Sequence, residues 1–245
     1  MYDIWKDDPR TWSTRFKRIN NHLLGSLATG FKKVVQEKAT LEQVRDNIRQ
    51  KLHAMNPDSY PYGTGGASVG NLAVDMLKSN RVVTMSQAMC SECDYAETEV
   101  DDNLGYTLTA GHSTPKSTLT WISELNLETH EECPNCLSAM IRPVFYDQPP
   151  ELLVFEYPEY NIKTNHKLRY VIDGKSTVLY LRGIVYHGAF HFTSRIISSE
   201  GDIWFNDGRT TGKTSEEDGH LSHTSDSRLR TCRERDLVLA IYAQM

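Results

Sequence analysis

The sequence has no long apolar run. Its longest uninterrupted stretch, Leu237 to Ala243, is seven residues, against the roughly 20 a helix needs to cross a bilayer, so no membrane is expected among the partners. It has no basic excess either: 27 Lys and Arg stand against 32 Asp and Glu, a net charge of −5. A nucleic acid, whose phosphates demand such an excess, is not an expected partner. The opening residues, Met1-Tyr2-Asp3-Ile4-Trp5-Lys6-Asp7-Asp8, lack the basic and apolar regions of a secretory signal. Cysteine is scarce, five in 245 residues. With no export signal, these thiols are expected in a reducing compartment, cytoplasmic or nuclear.

What is present is ordinary for a folded domain: 39% hydrophobic, 24% charged and 9% aromatic residues, on a chain long enough for a sizeable core. The first 80 residues read as helix. Trp12, Phe16, Ile19, Leu23, Leu24 and Leu27 recur at three- and four-residue spacing, as do Leu41, Val44, Ile48, Leu52 and Met55. Thr40 suits the N-cap of the second segment and Asn56-Pro57 its stop, while Val69 to Leu77 reads as a third, shorter helix. From residue 81 onward β-branched and aromatic runs take over, at 81–85, 141–146, 152–157, 168–172, 178–186, 190–197 and 237–242. Turn residues such as Asp173-Gly174 and Ser199 to Asp202 separate neighbouring runs, which predicts a mainly antiparallel sheet. The fold class expected is α+β, with a helical part over 1–80 and a sheet part over 81–245. The polar stretch Gly208 to Ser227 is expected to be a mobile excursion, with Asp218, His220 and His223 solvated rather than metal-binding. The basic run Arg228, Arg230, Arg233, Arg235 is expected on a solvated face, able at most to pair with an acidic partner. Gly208 to Thr214 imitates a phosphate loop, but with three residues between its glycines where four are needed.

Four cysteines form two CxxC knuckles, Cys90-Ser91-Glu92-Cys93 and Cys133-Pro134-Asn135-Cys136, 39 residues apart. Two residues between cysteines let both thiolates converge on one tetrahedral ion at roughly 2.3 Å per bond, and two knuckles complete a closed four-sulfur set. The expected cofactor is one structural zinc. His112 and His130, in the insert between the knuckles, could replace a ligand, although a lone histidine in a polar loop is more often simply solvated.

The run Tyr180-Leu181-Arg182-Gly183-Ile184-Val185-Tyr186-His187-Gly188, then His191-Phe192, then Trp204-Phe205-Asn206-Asp207 places a histidine at a strand start with an amide and a carboxylate on the next strand. Such an arrangement suits a general base oriented by a third group. In order and spacing the series resembles the ubiquitin-specific proteases, including divergent members that act on SUMO. Pro149-Pro150-Glu151-Leu152-Leu153-Val154-Phe155 upstream and Leu237 to Tyr242 downstream are similar to further strands of that family, and the knuckles stand where its zinc-bearing fingers lie. The likeness covers roughly residues 81 to 243. It implies a papain-like cysteine protease fold: a helical thumb portion over 1–80, zinc-bearing fingers, and an antiparallel β palm. It implies ubiquitin or a ubiquitin-like modifier as partner. It also implies His191 as general base, Asn206 as its orienting partner, Asp207 as an auxiliary polar residue near the oxyanion and His187 as a flanking structural residue.

The family's nucleophile is missing. Residues 1–80 contain no cysteine, Asn20-Asn21-His22 is a poor imitation of the Cys box, and Cys232 follows the histidine in the wrong chain order. The hairpin before His191 is also shorter than the family's, with Phe190 where a glycine precedes the histidine. The expectation is a chain that starts downstream of the Cys box and is inactive as it stands. The alternative is a non-catalytic module that binds a ubiquitin-like modifier, or a zinc-stapled scaffold.

Overall fold

The structure is a computed structural model, and it describes residues 1–245 except 63–65, 103, 110–114, 128–130, 158–160 and 173. His112 and His130 thus lie outside the described residues. Two compact units emerge, one of Met1–Asn80 with Ser198–Glu200 and one of Arg81–Ile197 with Gly201–Met245.

The first unit consists of α1 (Tyr2–Asp7), α2 (Pro9–Asn20), α3 (Leu24–Val35), α4 (Leu41–Met55) and α5 (Val69–Leu77). Asp8 caps α2 by accepting from the Thr11 N–H, with Pro9 at the first helical position, where its missing N–H costs nothing. The apolar repeat from Trp12 to Leu27 is two helices rather than one. At the break, Asn20 accepts from the Leu23 N–H at 3.0 Å and donates to the Asp75 carbonyl at 3.0 Å, so a buried amide turns the chain. Thr40 and Gln43 form a reciprocal capping box at the start of α4. Trp5, Trp12, Phe16, Leu23 and Leu24 are fully buried within the unit.

The second unit holds two sheets. Its strands are β1 (Thr84–Ser86), β2 (Met89–Cys90), β3 (Val100–Asp102), β4 (Thr107–Thr109), β5 (Asn126–Leu127), β6 (Met140–Tyr146), β7 (Leu152–Glu156), β8 (Lys167–Ile172), β9 (Lys175–Gly188), β10 (His191–Ile197), β11 (Asp202–Asn206), β12 (Glu216–His220), β13 (Thr231–Cys232) and β14 (Arg235–Ala243). Helices α6 (Thr118–Ser123) and α7 (Asp226–Arg230) accompany them. Among the described residues the smaller sheet runs β2-β6-β1-β3, with β5 also on β6, and carries the knuckles. The larger runs β12-β11-β10-β9-β14-β7-β4, with β8 on β9 and β13 on β14; every pairing is antiparallel except β4 with β7. Its centre is β9, whose first half pairs β8 and whose second half lies between β10 and β14. Leu181, Ile184, Tyr186, Phe205, Ala240 and Tyr242 are buried in its core.

The polar stretch Gly208 to Ser227 is not a loose excursion. It folds back as β12, which pairs β11, and runs into α7, because its charges find partners on the sheet. Arg195, 4% exposed, donates to Asp218 at 2.6 Å, to the Tyr186 hydroxyl at 2.9 Å and to the Arg228 carbonyl. Nor is the basic run simply solvated. Arg228 binds Asp218, Arg230 lies 3.6 Å from Asp226, and Arg233 binds Glu216 while its guanidinium sits 3.8 Å over the Phe205 ring.

Candidate functional site

β9 and β10 form a hairpin closed by two residues. Gly188 pairs with His191, and the turn residues Ala189 and Phe190 take φ of 51° and 56°. Positive φ at both central positions gives the strand-compatible twist of a tight hairpin, at a cost of roughly 1–2 kcal/mol per L residue. Phe190 is 97% exposed, so no packing of its side chain offsets that cost.

The turn sets His191 at the first position of β10. Residues 193, 195 and 197 share its face and are buried. On β11 the matching face carries buried Ile203 and Phe205, and Asp207 follows at the same two-residue step. His191 Nε2 stands 2.6 Å from Asp207 Oδ1, with the side chains 15% and 5% exposed. Asn206 is one residue out of phase. Its register partner is Ser194, and its amide donates to Thr211 Oγ1 at 3.2 Å and to the Thr214 carbonyl at 2.7 Å. The side chain bonded to His191 is therefore Asp207 and not Asn206, because strand alternation aims adjacent side chains at opposite faces. His187, the flanking histidine, stacks its ring on Phe192 at 4.5 Å.

Asp207 is well supported. The Arg209 N–H donates to Oδ1 at 2.9 Å, while Thr211 accepts from the Asp207 N–H and donates back to its carbonyl, both at 3.0 Å. The segment that imitates a phosphate loop is thus the turn that holds this carboxylate. The hydrogen bond from His191, then that from Arg209, pulls the Asp207 pKa down to about 2. A depressed carboxylate contributes stability above its unfolded pKa of about 3.9, and that contribution is lost as pH falls toward 2. Asp207→Asn should therefore lower the melting temperature at pH 5, with the deficit shrinking as the pH is brought to 2. A deficit constant across that range in thermal melts would contradict this account. Thr211 had no sequence signal of its own; a hydroxyl three to four residues beyond a strand-ending Asn-Asp is the one available hint.

The second constellation is the sulfur cluster. Cys90 Sγ lies 3.4 Å from Cys136 Sγ, Cys93 3.6 Å from Cys133, and Cys136 3.7 Å from Cys93. Four ligands about 2.3 Å from a common ion sit at the corners of a tetrahedron with edges of about 3.8 Å, so the set fits zinc. All four sulfurs lie within 4.8 Å of one another, the only such group of possible metal ligands among the described residues. Cys90 and Cys133 are buried with Ala88 and Met140, and the Glu92 N–H points at Cys90 Sγ at 3.3 Å. The Ser138 N–H and hydroxyl, with the Cys90 thiol, lower the Cys136 pKa, whereas desolvation and the neighbouring thiols raise that of Cys93 against the pull of the Tyr95 N–H. His220 bonds Ser222. Cys232 is buried on β13, where burial raises its pKa.

No protein-family model matches the chain, and no curated protein matches it in sequence. Solved structures do. The SAGA DUB module of Ubp8, Sgf11, Sus1 and Sgf73 bound to monoubiquitin aligns with a TM-score of 0.59 and 13% identity, over 100% of this chain and 64% of that one. The same module bound to ubiquitin aldehyde aligns with a TM-score of 0.55 and 12% identity, over 100% and 64%. This chain thus spans less than two thirds of the chains it matches. The α+β, ubiquitin-specific-protease-like fold that the motifs imply is the one found, in a form divergent in sequence, and the four-cysteine cluster is its structural zinc site. No described helix is long and apolar enough to cross a membrane.

Proposed function

We propose that this domain binds ubiquitin or a ubiquitin-like modifier and keeps the acid–base half of a thiol protease site, without itself hydrolysing the isopeptide bond. In this reading the helical unit is the thumb portion, the zinc-bearing sheet the fingers and the larger sheet the palm. The observation that carries it is the His191–Asp207 pair on a two-residue hairpin, within a fold shared with a module bound to monoubiquitin.

The chemistry of the pair is specific. Asp207 accepts from Nε2–H, which fixes the imidazole with Nδ1 as the free acceptor. Nδ1 is then the atom to take a proton from an attacking thiol and return it to the leaving amine, while the carboxylate stabilises the imidazolium formed between those steps. This chain supplies the base but no sulfur for the attack. Four sulfurs converge on the metal site, and the fifth, Cys232, is 5% exposed and has no hydrogen bond to His191 among the described residues.

The experiment is a fluorogenic ubiquitin or SUMO substrate run beside an NMR titration with the same modifiers. The expected result is no turnover above the blank together with saturable binding of one modifier. Turnover that His191→Ala abolishes would overturn the inactive reading. Absence of binding at high micromolar concentration would leave the zinc-stapled scaffold in its place.

A further inference from the structure

Charge is unevenly divided along the chain. Residues 1–80 carry 12 Lys and Arg against 8 Asp and Glu, whereas residues 81–245 carry 15 against 24. Within the helical unit some cations are neutralised locally: Lys6 pairs with Asp3 and Arg45 with Asp46, each at 2.8 Å. Others are gathered around two neighbouring clefts. One, of about 630 Å³, lies among α2, α3 and α4 and is lined by Lys17, Lys33 and Lys38. The other, of about 400 Å³, lies between α2 and α3, is lined by Arg10, Lys17 and Lys32, and shares Lys17 with the first. All five cations are exposed, and none forms an ion pair among the described residues. No carboxylate lines either cleft.

Helical spacing explains the arrangement. Arg10, Thr14, Lys17 and Asn21 follow one another at four, three and four residues, forming one stripe along α2 and just past its end. Facing it, Gly25, Ser26, Thr29 and Gly30 of α3 give a floor of small residues. A Cβ at Gly30 would stand 2.6 Å from Val44 Cγ1, so glycine there lets α3 and α4 approach closely. Ser26 and Thr29 spend their hydroxyl protons on the His22 and Gly25 carbonyls. The Asn21 and Asn47 amides line the same cleft and add neutral donors to it.

We propose that this paired cleft binds a compact, multiply phosphorylated small anion. Lysines are point charges suited to phosphate oxygens, and four of them with Arg10, gathered without a counter-charge, attract a polyanion that buffer salt only partly screens. The lining speaks against larger partners. Val44 and Ala39 are the only apolar side chains in the larger cleft, and no aromatic lines either one. A single-stranded nucleic acid would need stacking platforms, and a peptide an apolar anchor. The site lies within the helical unit and is independent of the modifier-binding reading.

The test uses the whole chain and inositol hexakisphosphate as probe, by titration calorimetry at about 0.15 M salt. The expected result is saturable micromolar binding, weakened about tenfold or more by combining Lys17→Ala, Lys33→Ala and Lys38→Ala. Lys78→Ala with Lys175→Ala, both exposed and outside the clefts, should leave it unchanged. Three outcomes would overturn the proposal: no saturation up to about 1 mM, equal loss in both sets of variants, or equally tight binding of a Glu-rich peptide of matched charge. Because the substituted lysines are exposed, circular dichroism should show all variants folded.

Discussion

Replacing Cys133 with serine should empty the metal site and dissolve the order of the knuckles around it. Cys133 is fully buried, and its sulfur is one corner of the tetrahedron. A serine hydroxyl stays protonated at neutral pH and cannot replace a thiolate. Structural zinc in small domains contributes about 10–16 kcal/mol at neutral pH, comparable to the whole stability of a typical domain. Little else holds the knuckles, since their buried cluster is only Ala88, Cys90, Cys133 and Met140, with Cys93 and Tyr95 packed on it, and β2 is two residues long. Elemental analysis should find one zinc per chain in the wild type and close to none in Cys133→Ser. Hydrogen exchange should lose protection over 88–95 and 133–140 while β9 and β14 keep theirs. Cys232→Ser is the control and should retain its zinc. A wild type that purifies without zinc and is equally protected would remove the metal from the account.

The second large effect is expected at Arg195. Its side chain reaches from β10 to Asp218 on β12, to the Tyr186 hydroxyl on β9, and to the carbonyls of Arg228 and Thr231 beyond the polar stretch. Tyr186 continues the chain of bonds by donating to the Leu229 carbonyl at 2.8 Å. Arg195→Ala takes this donor from the Tyr186 hydroxyl and from the carbonyls of Arg228 and Thr231, and leaves the Asp218 carboxylate to Arg228 alone among the described residues. Breaking one side of a buried ion pair costs about 3–5 kcal/mol, more than truncating a surface pair. The melting temperature should fall by about 10 °C. Lysine, with one ammonium in place of a planar fork, should recover only part of the loss. Arg195→Ala melting within about 2 °C of wild type would show that β12 and α7 are held by other contacts.

Legibility from sequence followed the physics of each element. The helix α4 was visible because its apolar period and its Thr40–Gln43 cap are both local. The zinc set was visible because CxxC spacing is local geometry, although the chain between the knuckles does not announce where it folds back. β9 and β10 could be read from their β-branched runs. The break at Asn20 was hidden, since it depends on an amide reaching Asp75, 55 residues away. The polar stretch was misread for a similar reason: composition does not distinguish a solvated Asp from one that faces Arg195 across a sheet. The partner of His191 could have been read from alternation alone. Ile203 and Phe205 are apolar and inward, so 207 is the next inward position, whereas 206 goes with Trp204 on the other face.

The two-residue turn at Ala189–Phe190 has a consequence for how this hairpin tolerates change in length. With no spare residue between Gly188 and His191, the strand's phase is fixed by the turn itself. One extra residue absorbed into β10 would rotate every later side chain to the opposite face, carrying His191 away from Asp207 and bringing Arg195 out of the core. Insertions here should therefore be accepted only in pairs or as a bulge that restores the phase. The shortness of the hairpin acts as a register lock on the His191–Asp207 pair.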